Sequence, residues 1–158
     1  MIKRATGRRF VLALAFFAAA RILLASASLP FFHSTDEQAH FDMIYKLAHG
    51  HLPRSIEKHD RRANRYVALF GSLEFFNAPS AFEDGRQPPP IWDRPAMAAV
   101  EAFITRLNRW NGLVNIQSTR PPLFYAVAAG WYRLGWALGL REGDSLYWIR
   151  FLNAAVVA

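Results

Sequence analysis

The stretch Phe10–Leu29, FVLALAFFAAARILLASASL, decides how the rest of the chain is read. It is an apolar run interrupted by one charge, Arg21. Wound as an α-helix, a run of this length rises about 30 Å, the thickness of a bilayer's hydrocarbon core. A cation near mid-depth costs about 3 kcal/mol on insertion scales, and each Leu, Ile, Val or Phe returns ~0.3–0.6, so the run still favours insertion. Lys3, Arg4, Arg8 and Arg9 precede it with no acidic residue among them. The positive-inside rule then assigns residues 1–9 to a cytoplasmic basic head and residues 10–32 to a first transmembrane helix. A secretory signal peptide fits the same residues, with Phe10–Ala20 as the apolar core and Ala25–Ala27 (ASA) as a small-residue cleavage site. Either reading exports the segment after it.

A second span is expected over residues 121–140, PPLFYAVAAGWYRLGWALGL. Pro121 and Pro122 lack backbone donors and suit a helix's first turn, where those donors have no partner anyway. Arg120 precedes a proline, which pushes it to extended geometry and makes it the last loop residue. Tyr125, Trp131, Tyr132 and Trp136 supply interfacial aromatics, and Arg133 can snorkel. Residues 141–144 read as a cytoplasmic turn and 145–158 as the start of a third span. That last run is too short to cross alone, so the chain reads as the N-terminal fragment of a larger protein or as a truncated reading frame.

Residues 33–120 form the expected extracytoplasmic loop, nearly balanced in charge although the whole chain carries a formal +7. The excess sits in the basic head, no nucleic-acid motif accompanies the arginines, and no nucleic-acid partner is expected. The absence of cysteine excludes a disulfide framework and a thiolate metal site. Three amphipathic helices are expected in the loop. The first opens at STDEQAH, where Ser34 with Glu37, or Thr35 with Gln38, forms a capping box. Its stripe is Phe41, Ile44, Tyr45 and Ala48, and Gly50 and Pro53 stop it. The second covers about Arg62–Asn77 on Tyr66, Leu69, Phe70, Leu73 and Phe76. The third covers Pro95–Trp110 on Met97, Val100, Ile104 and Leu107. Lying on the bilayer suits such helices better than solvation, although they can also pack as a small soluble bundle. The fold class is therefore an all-α membrane protein, with transmembrane helices and an outer loop of juxtamembrane amphipathic helices.

Asp36 and Glu37 stand where the chain leaves the greasy segment, with His40 one turn on. As a bare motif DExxH is weak, and it is not the zinc-protease order. Helix-capping carboxylates and a surface histidine explain it without chemistry. His33, His40, His49, His51 and His59 gather near Asp36 and Asp60 in sequence, but nothing fixes their geometry and no metal site is assigned.

Taken in order, the basic head, the apolar span, DEQAH with AHFDMIYKLAHGHLP, the amphipathic loop, PPLFY and WIRFLNA resemble the N-terminal part of the GT-C membrane glycosyltransferases. The closest likeness is to bacterial relatives of the protein mannosyltransferases and allied multi-pass proteins. DEQAH and PPLFY are its sharpest pieces. The resemblance implies a polyprenyl-phosphate-linked sugar as donor, no cofactor beyond a divalent metal if one is used, and work on the outer face of a bacterial inner membrane. It maps the essential acid of the first outer loop onto Asp36, with Glu37 in the adjacent position. Asp36 is then the general base on an acceptor hydroxyl, Glu37 orients, His40 hydrogen-bonds Asp36, and Arg120 neutralises the lipid phosphate. Related proteins often carry another polar residue before the two prolines. A fragment of this length is expected to be inactive alone. The competing class is a non-enzymatic membrane assembly or transport component whose outer loop binds a partner, with the carboxylates as caps and the aromatics as anchors. A third is a secreted lipid-binding module released by cleavage near Ala27.

Overall fold

The computed structural model describes residues 2–33, 36–71, 79–85 and 112–157. The chain is mostly helical. It divides into two compact units, one of residues 1–29 with 131–158 and one of residues 30–130.

In the first unit, α1 (Ile2–Ser28) is a single unbroken helix. Its segment Gly7–Ser28 is the one stretch among the described residues long and apolar enough to cross a membrane, and none of it is buried. Phe10, Leu12, Phe16, Phe17 and Leu24 all stand exposed. A signal sequence near an N-terminus has the same length and composition, so this helix fits either reading.

Two further helices are α4 (Leu123–Ala137) and α5 (Glu142–Val157). The expected second span runs to Leu140, but α4 stops at Ala137. Its fifteen residues rise about 22 Å, short of the hydrocarbon thickness. The stop has a local cause. Gly139 takes φ +90°, its N–H reaches the Trp136 carbonyl at 3.1 Å, and the Leu140 N–H reaches the Gly135 carbonyl at 3.0 Å. That pairing is a Schellman close, which needs a residue tolerant of left-handed backbone. The turn also ends sooner than residues 141–144, because α5 already begins at Glu142.

The part of α4 in this unit is clasped to α5 by two tryptophans. The Trp131 and Trp148 rings lie parallel, 4.1 Å apart and 2° from coplanar. Each indole N–H donates to the other residue's carbonyl, at 2.6 Å and 2.7 Å. Gly135 leaves room for this: a Cβ there would stand 2.5 Å from the Trp148 ring. Helix α5 also packs on α1, where the Arg150 guanidinium donates to the carbonyls of Ser26 and Leu29. A cation at that end meets orphan carbonyls and the negative end of the helix dipole.

In the second unit, α2 (Glu37–Ala48) is buried on nearly every face from Ala39 to Lys46. Gly50, at φ +81°, closes it, with Gly50 N–H to the Leu47 carbonyl and His51 N–H to that of Lys46, so the stop expected there is observed. Helix α3 (Arg61–Phe70) packs on α2 through Phe41–Tyr66 and Tyr45–Tyr66 ring contacts. Asp60 caps it, accepting from the N–H groups of Arg62 and Ala63 at 2.7 and 3.3 Å. The second amphipathic helix is expected to run to Asn77. It ends instead at Phe70, because Gly71 is extended and bridges to Phe31. Residues 72–78, with Leu73 and Phe76, lie outside the described residues, as does the expected third helix Pro95–Trp110.

A small antiparallel sheet was not expected. Strand β1 (Glu57–Lys58) pairs with β2 (Val114–Asn115), Glu57 opposite Asn115 and Lys58 opposite Val114. A 3₁₀ turn, Ile116–Thr119, leads from β2 towards α4. Sheet and turn bring Asn115 and Gln117 against α2, and with them the polar interior of this unit.

Candidate functional site

Asp36 is the residue before the first turn of α2, at φ −107° and ψ −5°, and its side chain makes no capping hydrogen bond. The carboxylate is exposed. Asp36 is therefore no hydrogen-bonding cap, although its charge stands at the positive end of the helix dipole. The two capping-box residues, Ser34 and Thr35, lie outside the described residues. Glu37 opens the helix and is half-buried. A carboxylate in the first turn meets the positive end of the helix dipole, which is reason enough for its residue type.

His40 sits one turn further along the same helix, half-buried. Its backbone N–H donates to the Asp36 carbonyl at 3.0 Å, an ordinary helical bond. Its Nδ1 lies 2.8 Å from the Tyr125 hydroxyl, and the two rings stack at 5.8 Å between centroids. So the ring's Nδ1 partner is Tyr125, where the sequence suggested the Asp36 carboxylate. Tyr125 lies in the first turns of α4, which belong to this unit, and is buried. Its hydroxyl also lies 3.4 Å from Gln117 Oε1, to which it can donate. The phenol carries one O–H, which it can donate to the Gln117 amide oxygen while accepting from His40 Nδ1–H, or donate to an unprotonated Nδ1 instead.

Arg120 closes the 3₁₀ turn at φ −75° and ψ 155°, the extended geometry expected before Pro121, and is exposed. The charges of Arg120 and Asp36 both act on the Tyr125 hydroxyl, with opposite sign. Of the sequence candidates, His40 is bonded to Tyr125, while Asp36 and Arg120 reach its hydroxyl only through their charge. A carboxylate, a guanidinium and an imidazole are side chains of the kinds that take a proton and hold an anion.

Beneath it lies a buried polar cluster. Asp42, wholly buried, accepts from the Asp60 N–H at 2.6 Å and from Asn115 Nδ2 at 2.7 Å, and pairs with Lys46 Nζ at 3.0 Å. Lys46 donates to the Lys58 carbonyl at 2.6 Å. Asn115 Nδ2 also reaches the Ala39 carbonyl at 2.8 Å, and its Oδ1 accepts from the Gln117 N–H. Asn115 therefore ties α2, which carries Asp36 and His40, to the turn carrying Gln117 and Arg120. Nδ1 of the His59 ring stands 3.9 Å from Asp42 Oδ2 without a hydrogen bond. Burial, with the Lys46 cation adding, pulls the His59 pKa below 6.5 against the opposing pull of Asp42.

The histidines are dispersed. His49 pairs with the Tyr45 carbonyl, His51 with Glu57, and Asp60 is spent as a cap. No group of three or more His, Cys, Asp or Glu side chains is gathered for a metal among the described residues. Sequence reasoning missed Tyr125 as a site residue, Gln117, and the whole Asp42–Lys46–Asn115 cluster. Asp42 and Lys46 at i, i+4 were a visible signal. Asn115 and Gln117 had none.

The chain matches no known protein family, no curated protein and no solved structure.

Proposed function

We propose that this chain forms the N-terminal part of an integral membrane glycosyltransferase of the GT-C type, carrying a sugar from a polyprenyl phosphate to an acceptor hydroxyl on the outer face. In this reading α1 is the first of several spans, and the cluster around Tyr125 is part of the transfer site. The observation that supports it is the Asp36 carboxylate, exposed at the start of α2 and making no capping hydrogen bond there.

The chemistry runs in one displacement. Asp36 takes the proton of the acceptor hydroxyl as its oxygen forms a bond to the anomeric carbon. The bond from that carbon to the lipid phosphate oxygen breaks, and the phosphate leaves with the electron pair. Arg120 meets the charge that develops there. Glu37 orients the acceptor. His40 and Tyr125 are positioning residues that fix the first turn of α2 relative to Arg120.

The test is Asp36→Asn in the full-length protein, assayed for transfer from a polyprenyl-phosphate sugar. Removing a general base should cut turnover by roughly 10²–10⁴-fold. Undiminished transfer removes the proposed base and the reading with it.

A further inference from the structure

The two strands bury one face and bare the other. Glu57 and Asn115 oppose each other and turn inward, Glu57 beside Lys46 and Asn115 onto Asp42. Side chains alternate along a strand, so Lys58 and its partner Val114 point outward. Ile56 and Ile116 flank the strands beside them. Ile56 is 55% exposed, Val114 52% and Ile116 61%. Three exposed β-branched apolar side chains around one lysine form an outward face that water does not favour.

Arg54 and Lys58, two residues before and after Ile56, are both exposed cations. From Arg54 to Arg65 every exposed charged side chain is a cation. Both acids of that stretch are engaged elsewhere, Glu57 with His51 at 2.6 Å and Asp60 at the start of α3. The unit also begins at Pro30, directly after the apolar helix α1. A chain whose α1 enters a bilayer holds this unit at that surface at high effective concentration.

We propose that the outer face of the sheet docks on a lipid surface, with Ile56, Val114 and Ile116 entering the headgroup boundary and Arg54 and Lys58 meeting anionic headgroups. This rests on the membrane placement of the proposed function, and not on its chemistry. It gives the site a fixed height: the turn that carries Ile116 ends at Arg120.

This chain has no cysteine, and any cysteine elsewhere in the full-length protein is first replaced by serine so that each label is single. Full-length protein carrying Ile56→Cys, Ile116→Cys or Phe16→Cys, each with an environment-sensitive dye, is reconstituted in vesicles of phosphatidylcholine alone or mixed with phosphatidylglycerol. Quenching by doxyl lipid reports contact with acyl chains, and quenching by iodide reports contact with water. Labels at 56 and 116 should show at least about a twofold rise in doxyl quenching, and a matching loss of iodide quenching, when phosphatidylglycerol is added. Arg54→Gln with Lys58→Gln should reverse that gain. If the Phe16 label is quenched by doxyl lipid while those at 56 and 116 stay open to iodide, docking is wrong and the membrane placement stands. If the Phe16 label also stays in water, both fail. Shielding that appears in detergent without lipid and grows with protein concentration assigns the face to a second copy and overturns the proposal.

Discussion

Asp42 and Lys46 stand one helical turn apart with both side chains buried, Oδ2 3.0 Å from Nζ, and Asn115 Nδ2 donates to the same oxygen. Exposed pairs of this spacing add only a few tenths of a kcal/mol to a helix. Buried ones behave differently, because each charge is tolerable only while the other is present.

Lys46→Met should therefore destabilise the fold by about 3–5 kcal/mol, since it leaves a buried carboxylate with neutral donors alone. It also strips the Lys58 carbonyl of its donor. Replacing both partners by apolar residues should not restore stability, because the Asp60 N–H would lose its acceptor and Asn115 Nδ2 one of its two. Urea unfolding of the detergent-solubilised protein, followed by circular dichroism, checks both. A Lys46→Met loss below about 1 kcal/mol, the scale of a surface pair, means that water reaches the cluster.

His59 gives that cluster a pH dependence. Its folded pKa lies below 6.5, because burial and the Lys46 cation disfavour the imidazolium more than Asp42 favours it. On acidification the unfolded chain then binds the proton first. Stability from this group is present above 6.5 and is lost as pH falls through the folded value. The groups facing it are Asp42 and Lys46, both on α2. His59→Gln should flatten the fall in unfolding midpoint over the first unit or so below the imidazole's ordinary range. An unchanged acid limb in the variant assigns the loss to carboxylates instead.

Much of the helical plan was legible in the sequence, for local reasons. The continuous apolarity of Phe10–Leu29 marks α1, and Gly50 supplies the left-handed backbone that stops α2. Asp60, a cap one residue before α3, was there to be read as well. What was missed depends on distant partners. The stripe of the second amphipathic helix continues past Gly71, yet Gly71 leaves the helix to pair with Phe31. Strands of two residues, far apart in sequence, carry no periodicity. Asp36, His40 and Arg120 could be picked out by residue type and position, whereas Tyr125, the partner of His40, is separated from it by most of the loop.

The tryptophan clasp makes Gly135 the least replaceable position between α4 and α5. A methyl group there would lie 2.5 Å from Trp148 Cδ1 and 2.8 Å from Nε1. That ring cannot swing aside cheaply, being stacked on Trp131 and bonded to its carbonyl. Gly135→Ala gains helix propensity of up to about 1 kcal/mol but should lose more from overpacking, about 1–3 kcal/mol. Near-ultraviolet circular dichroism reads the paired indoles directly. A variant that keeps this signal and unfolds no earlier shows that the helices separate without cost.

The His40–Tyr125 bond makes a claim about coupling. Tyr125→Phe keeps the ring and removes the hydroxyl, so His40 Nδ1 and Gln117 Oε1 lose a shared partner while Asp36 and Arg120 are untouched. If the phenol positions the first turn of α2, turnover in the transfer assay should fall about tenfold, the scale of a modest misplacement, with little change in KM. His40→Gln should cost a similar amount. The double variant should be scarcely worse than either single one, because both remove the same link. A purely structural role predicts otherwise: losses would follow unfolding midpoints, and Tyr125→Phe would lower the fraction of active protein rather than kcat per active site. Additive losses in the double variant would separate the two residues and leave Tyr125 as packing against α2.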